Sequence, residues 1–156
     1  MSFAIKVAIG NPAAKSFVFT RQKTMYGGKH IRAGDTIYVF ASENEGGPGL
    51  VARGIVAEAR STPRMPGVAR QTPRVSIEVR RIVKAARRLG RAELKPFKNW
   101  KDGRAESELN FKFYRQATNK VVGLSEIAAN FLDGFFKSKA RLRRTHATAR
   151  ARARRR

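Results

Sequence analysis

The chain has 156 residues, 42% of them hydrophobic, no cysteine and a formal net charge of +23. That length suits one domain with a real core. The missing cysteines exclude disulfides, thiolate catalysis, cysteine-held zinc and iron–sulfur clusters, and the charge points to a polyanionic partner, because each neutralised phosphate releases counterions.

Residues 3–9 put Phe3, Ile5, Val7 and Ile9 on one side, the period of a strand. Asn11-Pro12 breaks it. Residues 16–20 form a short apolar run with Phe17 and Phe19 on one face. Residues 21–30 read as a loop rich in donors, and Ile31 to Asp35 as a tight turn. The run 36–41, TIYVFA, is strongly β-prone.

Residues 42–49 are polar and glycine-rich, so they form a loop. Residues 50–59, LVARGIVAEA, return as a strand pairing with TIYVFA, and Gly54 marks a bulge or a close backbone approach. Residues 61–73 hold three prolines and two arginines, the composition of a long surface loop or flap. Val75, Ile77 and Val79 alternate as a further strand. Residues 85–94 suggest a helical turn or two, ended by Pro96. Phe111, Phe113 and Arg115 alternate against Lys112 and Tyr114, which predicts a strand over 110–115. Ser125 is the N-cap of a closing helix that runs to about Phe136, with Phe131, Leu132, Phe135 and Phe136 as its apolar stripe.

Residues 137–156 carry ten of the basic residues and no acid; the remaining 24 basic against 11 acidic residues leave +13 on the rest. The division is a folded unit over 1–136 and an Arg/Ala-rich tail over 137–156, disordered in isolation or extending the last helix. Several short strands, polar loops and late helices give an α+β class: a small curled β-barrel of about five to six strands with flanking helices. No window approaches a membrane span, and residues 1–16 lack the sustained apolar core of a signal peptide. The expected location is cytoplasmic, association with the nucleoid being one form of it.

The segment Ile31-Arg32-Ala33-Gly34-Asp35-Thr36-Ile37-Tyr38-Val39-Phe40-Ala41-Ser42 resembles the second-strand signature of the PUA-like superfamily. The EVE and ASCH branches are the nearest matches, with YTH domains more distant. Ala52-Arg53-Gly54-Ile55-Val56 resembles the returning strand of those domains, and residues 111–136 resemble their final strand, Val-Gly-Leu-Ser link and helix. The tryptophan that EVE domains often carry near the N-terminus is absent here. The resemblance spans residues 3–136. It implies a barrel with a cleft that accepts a single base, often modified, extruded from a strand.

Candidate base-binding residues follow, each beside a plainer role. Trp100 is the only tryptophan and sits in a basic setting, Lys98-Asn99-Trp100-Lys101, where an indole could stack on a base or pack a loop. Tyr114, Arg115 and Gln116 end an aromatic run and offer stacking and base-edge donors, although Phe111 and Phe113 beside them suit the core. Tyr26-Gly27-Gly28-Lys29 could present amides and a point charge to an anion, or be a simple turn. Ser42, Glu43 and Asn44 follow the clearest strand and could meet a base edge or cap a turn. The resemblance puts Lys23 and Thr24 near the same mouth. Arg60, Arg64, Arg70 and Arg74 flank the proline-rich segment and could track a backbone; in the tail, Arg143, Arg144, Arg150 and Arg152 could do the same.

No metal site and no cofactor are expected, since His30 and His146 are far apart and the acids are scattered. The expected partner is DNA or RNA, not a membrane. Two alternatives stay open. Some ASCH relatives resemble amidohydrolases using a lysine, a threonine and a carboxylate, types that Lys23, Thr24 and Glu43 could supply for a modified nucleoside. The other is a purely charge-driven RNA- or ribosome-associated protein.

Overall fold

The computed structural model describes residues 1–115 and 119–137. Six strands close into a barrel in the order β1-β3-β4-β5-β2-β6: β1 Ser2–Val7, β2 Ser16–Met25, β3 Thr36–Ala41, β4 Gly49–Ser61, β5 Arg74–Lys84 and β6 Lys120–Gly123. Three helices accompany them: α1 Arg91–Leu94, α2 Ala105–Phe113 and α3 Glu126–Asp133. Single 3-10 turns lie at Gly28–His30, Glu43–Glu45 and Gly134–Phe136. This is the α+β barrel expected from the sequence, with six strands.

The strand period explains two cores. On β1 and β3, Phe3, Ile5, Ile37 and Val39 point into the barrel, where they meet Phe17, Phe19, Val56, Val75, Ile77 and Val79. The alternate residues Ala4, Tyr38 and Phe40 point out under the helices and pack with Leu94, Leu109, Phe113, Val122 and Leu132. β1 and β3 are thus buried on both faces, which is why they read as near-continuous apolar runs. Each large apolar side chain so buried contributes about 1.5–3 kcal/mol.

β4 and β5 are antiparallel over a long register, from Ala52↔Lys84 to Ser61↔Val75. Their far ends are joined by the 62–73 segment. The register slips between Arg53 and Gly54, and a Cβ on Gly54 would lie 2.6 Å from the Arg80 carbonyl oxygen. The glycine therefore meets both expectations placed on it, a bulge and a close approach.

Three local expectations change. Residues 110–113 are the end of α2, not a strand: Ala105, Leu109 and Phe113 recur every fourth residue and bury one helical face, which outweighs the period-two look of FKF. β2 continues to Met25 rather than ending at Thr20. It passes a register shift between Phe19 and Gln22, where Arg21 adopts φ 51°. Within 85–94 only Arg91–Leu94 is helical; the preceding stretch is strapped down by Ala86 and Arg87 backbone N–H groups donating to the Phe135 carbonyl, at 2.8 and 3.1 Å. Ser125 is the N-cap of α3 as expected, its Oγ accepting from the Ala128 N–H at 3.1 Å.

Candidate nucleic-acid interface

Past the bulge in β2, Arg21 and Lys23 both border one cleft. The 3-10 turn after Tyr26 brings Lys29 and His30 beside them, because the turn lies flush on β6. Its Gly28 has no room for a side chain: a Cβ there would meet the Val121 carbonyl oxygen at 2.2 Å. Gly27 (φ 82°) and Tyr26 (φ 53°) both take the left-handed conformation to make the entry.

The 62–73 segment folds over this surface and has its own order. The Gln71 side chain donates to the Met65 and Val68 carbonyls at 2.8 and 2.9 Å and accepts from the Met65 N–H at 2.9 Å. Its base is tied to β2 by Thr24, whose N–H and hydroxyl both donate to the Pro73 carbonyl, at 3.1 and 2.7 Å. Arg74 donates to the Arg21 carbonyl at 2.8 Å.

Between segment and strand lies a cleft of about 1070 Å³. Arg21, Lys23, Lys29, Arg64, Arg70 and Arg74 line it together with His30, and no aspartate or glutamate does. Pro63, Met65 and Pro73 supply apolar surface. Six like charges around one concavity focus a positive field that an anion relieves.

The cleft therefore gathers Lys23, Lys29, Arg64, Arg70 and Arg74 from the sequence expectations. Arg21 and His30 were missed, the bulge at Arg21 having hidden the strand period there. Arg60 lies apart, paired with Glu58 at 2.8 Å. Thr24 is buried and spent on the Pro73 carbonyl.

Tyr26 turns away from the cleft onto Phe111, at 6.1 Å between ring centroids, and Phe111 stacks with Trp100 at 5.2 Å. Arg115 is exposed and donates to the Lys98 carbonyl at 3.3 Å, near the same loop. Gln116, Arg143, Arg144, Arg150 and Arg152 lie outside the described residues.

A second polar group sits where the barrel meets α1 and α2. The Tyr114 hydroxyl donates to Glu43 at 2.9 Å, and the Arg91 N–H donates to the other Glu43 oxygen at 2.5 Å. Arg91 also donates to Asn44 at 2.5 Å, and Ser42 is buried with its N–H on the Val7 carbonyl at 2.9 Å. Burial, then the Glu43 charge, pushes the Tyr114 hydroxyl well above the ordinary phenol range. Lys6 reaches into this group from β1, its Nζ 4.7 Å from the Tyr114 ring centre; burial lowers its pKa against the pull of Glu43. Burial lowers Lys120 on β6 as well, with the Lys6 charge adding to it. Thr24 and Glu43 serve different partners and Lys23 lines the cleft, so no observation assembles them as a catalytic set.

Elsewhere a cavity of about 440 Å³ includes Tyr38, Arg53 and Asp133. The Tyr38 hydroxyl donates to Asp133 at 2.5 Å, and burial together with that carboxylate raises its pKa. Among the described residues no group of three or more His, Asp or Glu could hold a metal ion, and no helix is long and apolar enough to cross a membrane.

The closed six-strand barrel with helices packed on its outer face is a fold shared with solved proteins. The solved DUF55 domain of human thymocyte nuclear protein 1 matches it with a TM-score of 0.56 at 13% identity, over 84% of this chain and 95% of that one. The structure of human THYN1 protein in complex with 5-methylcytosine containing DNA matches with a TM-score of 0.60 at 14% identity, over 88% and 98% respectively. At this identity the likeness is one of fold. No protein-family model and no curated protein matches the chain.

Proposed function

We propose that the chain is a nucleic-acid-binding module that holds a phosphate backbone in the basic cleft and captures one flipped, modified base there. The carrying observation is the cleft itself: six Lys or Arg and no acid around about 1070 Å³. That space exceeds what a base alone needs and accommodates a nucleotide with its phosphates. Pro63, Met65 and Pro73 offer the base an apolar seat, which helps offset the few kcal/mol (about) that flipping costs. The fold it shares with a protein solved on methylated DNA supports the same reading. Residues 1–136 supply the pocket, and the Arg/Ala-rich segment 137–156 adds affinity without sequence preference.

The test is binding of the full chain to matched short strands across a salt series. The strands are DNA and RNA, single and double, with and without methylated cytosine or adenine. A preference of about tenfold for one modified base, or about 1.4 kcal/mol, supports base capture. Equal affinity for all strands, fading with salt, leaves a phosphate binder and removes the pocket. Disappearance of a free modified nucleoside on incubation would revive the amidohydrolase alternative.

A further inference from the structure

Tyr26, Phe111 and Trp100 all lie outside both apolar cores. They follow one another in space, Tyr26 to Phe111 at 6.1 Å and Phe111 to Trp100 at 5.2 Å with 24° between planes. The two outer rings remain open to solvent, Trp100 51% exposed and Tyr26 37%. Among the Phe, Tyr and Trp side chains of the described residues, these two are the exposed ones.

Their surroundings are cationic. The Lys101 ammonium lies 5.1 Å from the Trp100 ring centre, and that of Lys112 lies 5.2 Å from the Tyr26 ring centre. Lys112 is held there, donating to the Gly123 carbonyl at 2.7 Å and to Glu108 at 3.1 Å. Tyr26 is also held, in a left-handed conformation (φ 53°) that a tyrosine rarely adopts, by the Gly123 N–H donating to its carbonyl at 3.1 Å. The row begins three residues from Lys29, which lines the basic cleft. That separation is at most about 11 Å of chain, the rise of about three stacked nucleotides.

We infer that Tyr26 and Trp100, joined through Phe111, form a stacking ladder for unpaired bases that continue out of the cleft, so that the partner is a single-stranded nucleic acid. The inference rests on the cleft holding the backbone. Aromatic faces accept any base and are hidden from bases paired within a duplex. Lys101 then meets a phosphate beside the base stacked on Trp100.

The test uses the full chain with two strands of equal length, oligo-thymidine and a wholly abasic strand of the same backbone. Binding is read by anisotropy of an end label, and stacking by the indole emission of Trp100, the only tryptophan. The expected result is that both strands bind, that only oligo-thymidine quenches the indole, and that oligo-thymidine binds more tightly than the matching blunt duplex. Trp100→Ala and Tyr26→Asn, the latter suited to positive φ, should each weaken oligo-thymidine about tenfold and leave the abasic strand unchanged. Binding of both strands with no quenching, or equal quenching by both, overturns the ladder and leaves the cleft standing. Failure of either strand to bind overturns the ladder and the cleft together.

Discussion

The Lys6 ammonium donates to the Phe113 carbonyl at 2.7 Å, joining the first strand of the barrel to the last turn of α2 across 107 residues of chain. A helix end leaves its final carbonyls without partners, and a cation there also meets the negative end of the helix dipole. Lys6 serves both needs from inside the protein. Lys6→Met should keep the volume and the apolar contacts yet strand a buried carbonyl. The expected cost is about 1–3 kcal/mol, measured by urea denaturation.

The salt dependence of binding separates cleft from surface. Lys29→Ala and Arg70→Ala should each lower the slope of log affinity against log salt by about 0.7 on single strands. Arg60→Ala, whose guanidinium is engaged by Glu58 outside the cleft, should leave the slope unchanged. Equal effects at all three positions would count against the cleft.

Replacing Arg143, Arg144, Arg150 and Arg152 by glutamine should weaken binding to every strand alike. The slope should fall by about 0.7 for each arginine that neutralises a phosphate. Loss of preference for one base type in this variant would contradict the division of labour between residues 1–136 and the tail.

Gly28→Ala should lower both stability and binding. The new methyl would overlap the Val121 carbonyl oxygen, so the turn must lift, at about 1–3 kcal/mol, and Lys29 and His30 move with it. Gly10→Ala meets open space and should stay within about 0.5 kcal/mol of the parent. Thermal melts and strand binding of the two variants give the comparison.

Glu108 carries a pH dependence. Burial opposes its ionisation, but Ser125, through its hydroxyl and its N–H at 3.0 Å, and Lys112 at 3.1 Å hold the carboxyl below its usual range. A carboxylate with a depressed pKa adds stability that is complete above the unfolded value, about 4.3 for glutamate, and is lost as pH falls through the folded one. Glu108→Gln should lose about 1 kcal/mol at neutral pH and show a shallower decline into acid. An unchanged acid limb would mean that the carboxylate does not tie α2 to α3.

Much of the barrel was legible because β1, β3, β4 and β5 keep the two-residue period of half-buried or buried strands. β2 was legible only to Thr20, since the bulge at Arg21 resets its alternation midway. α2 was misread because Phe111 and Phe113 alternate, while the stripe that matters begins at Ala105, behind a polar turn with no apolar residue. Arg64, Arg70, Arg74, Lys23 and Lys29 were visible as cations. Their convergence was not, because it depends on how far the β4–β5 arm reaches across β2. A lysine inside FAIKV carries no sign of the distant carbonyl it will find.

The closure of the barrel sets an order on its making. β1 pairs only with β3 and β6, and β2 meets β6 through just Thr24↔Val121 and Met25↔Val122. The four residues of β6 are therefore the keystone, and they come after more than a hundred others. On the ribosome, the first strand waits for nearly the whole domain before its second edge is covered. Contacts of such sequence separation slow folding, and the wall on which Gly28 rests does not exist until they form. Lys29 and His30, carried by that turn, thus take their place in the cleft only after the chain that bears them has long since emerged.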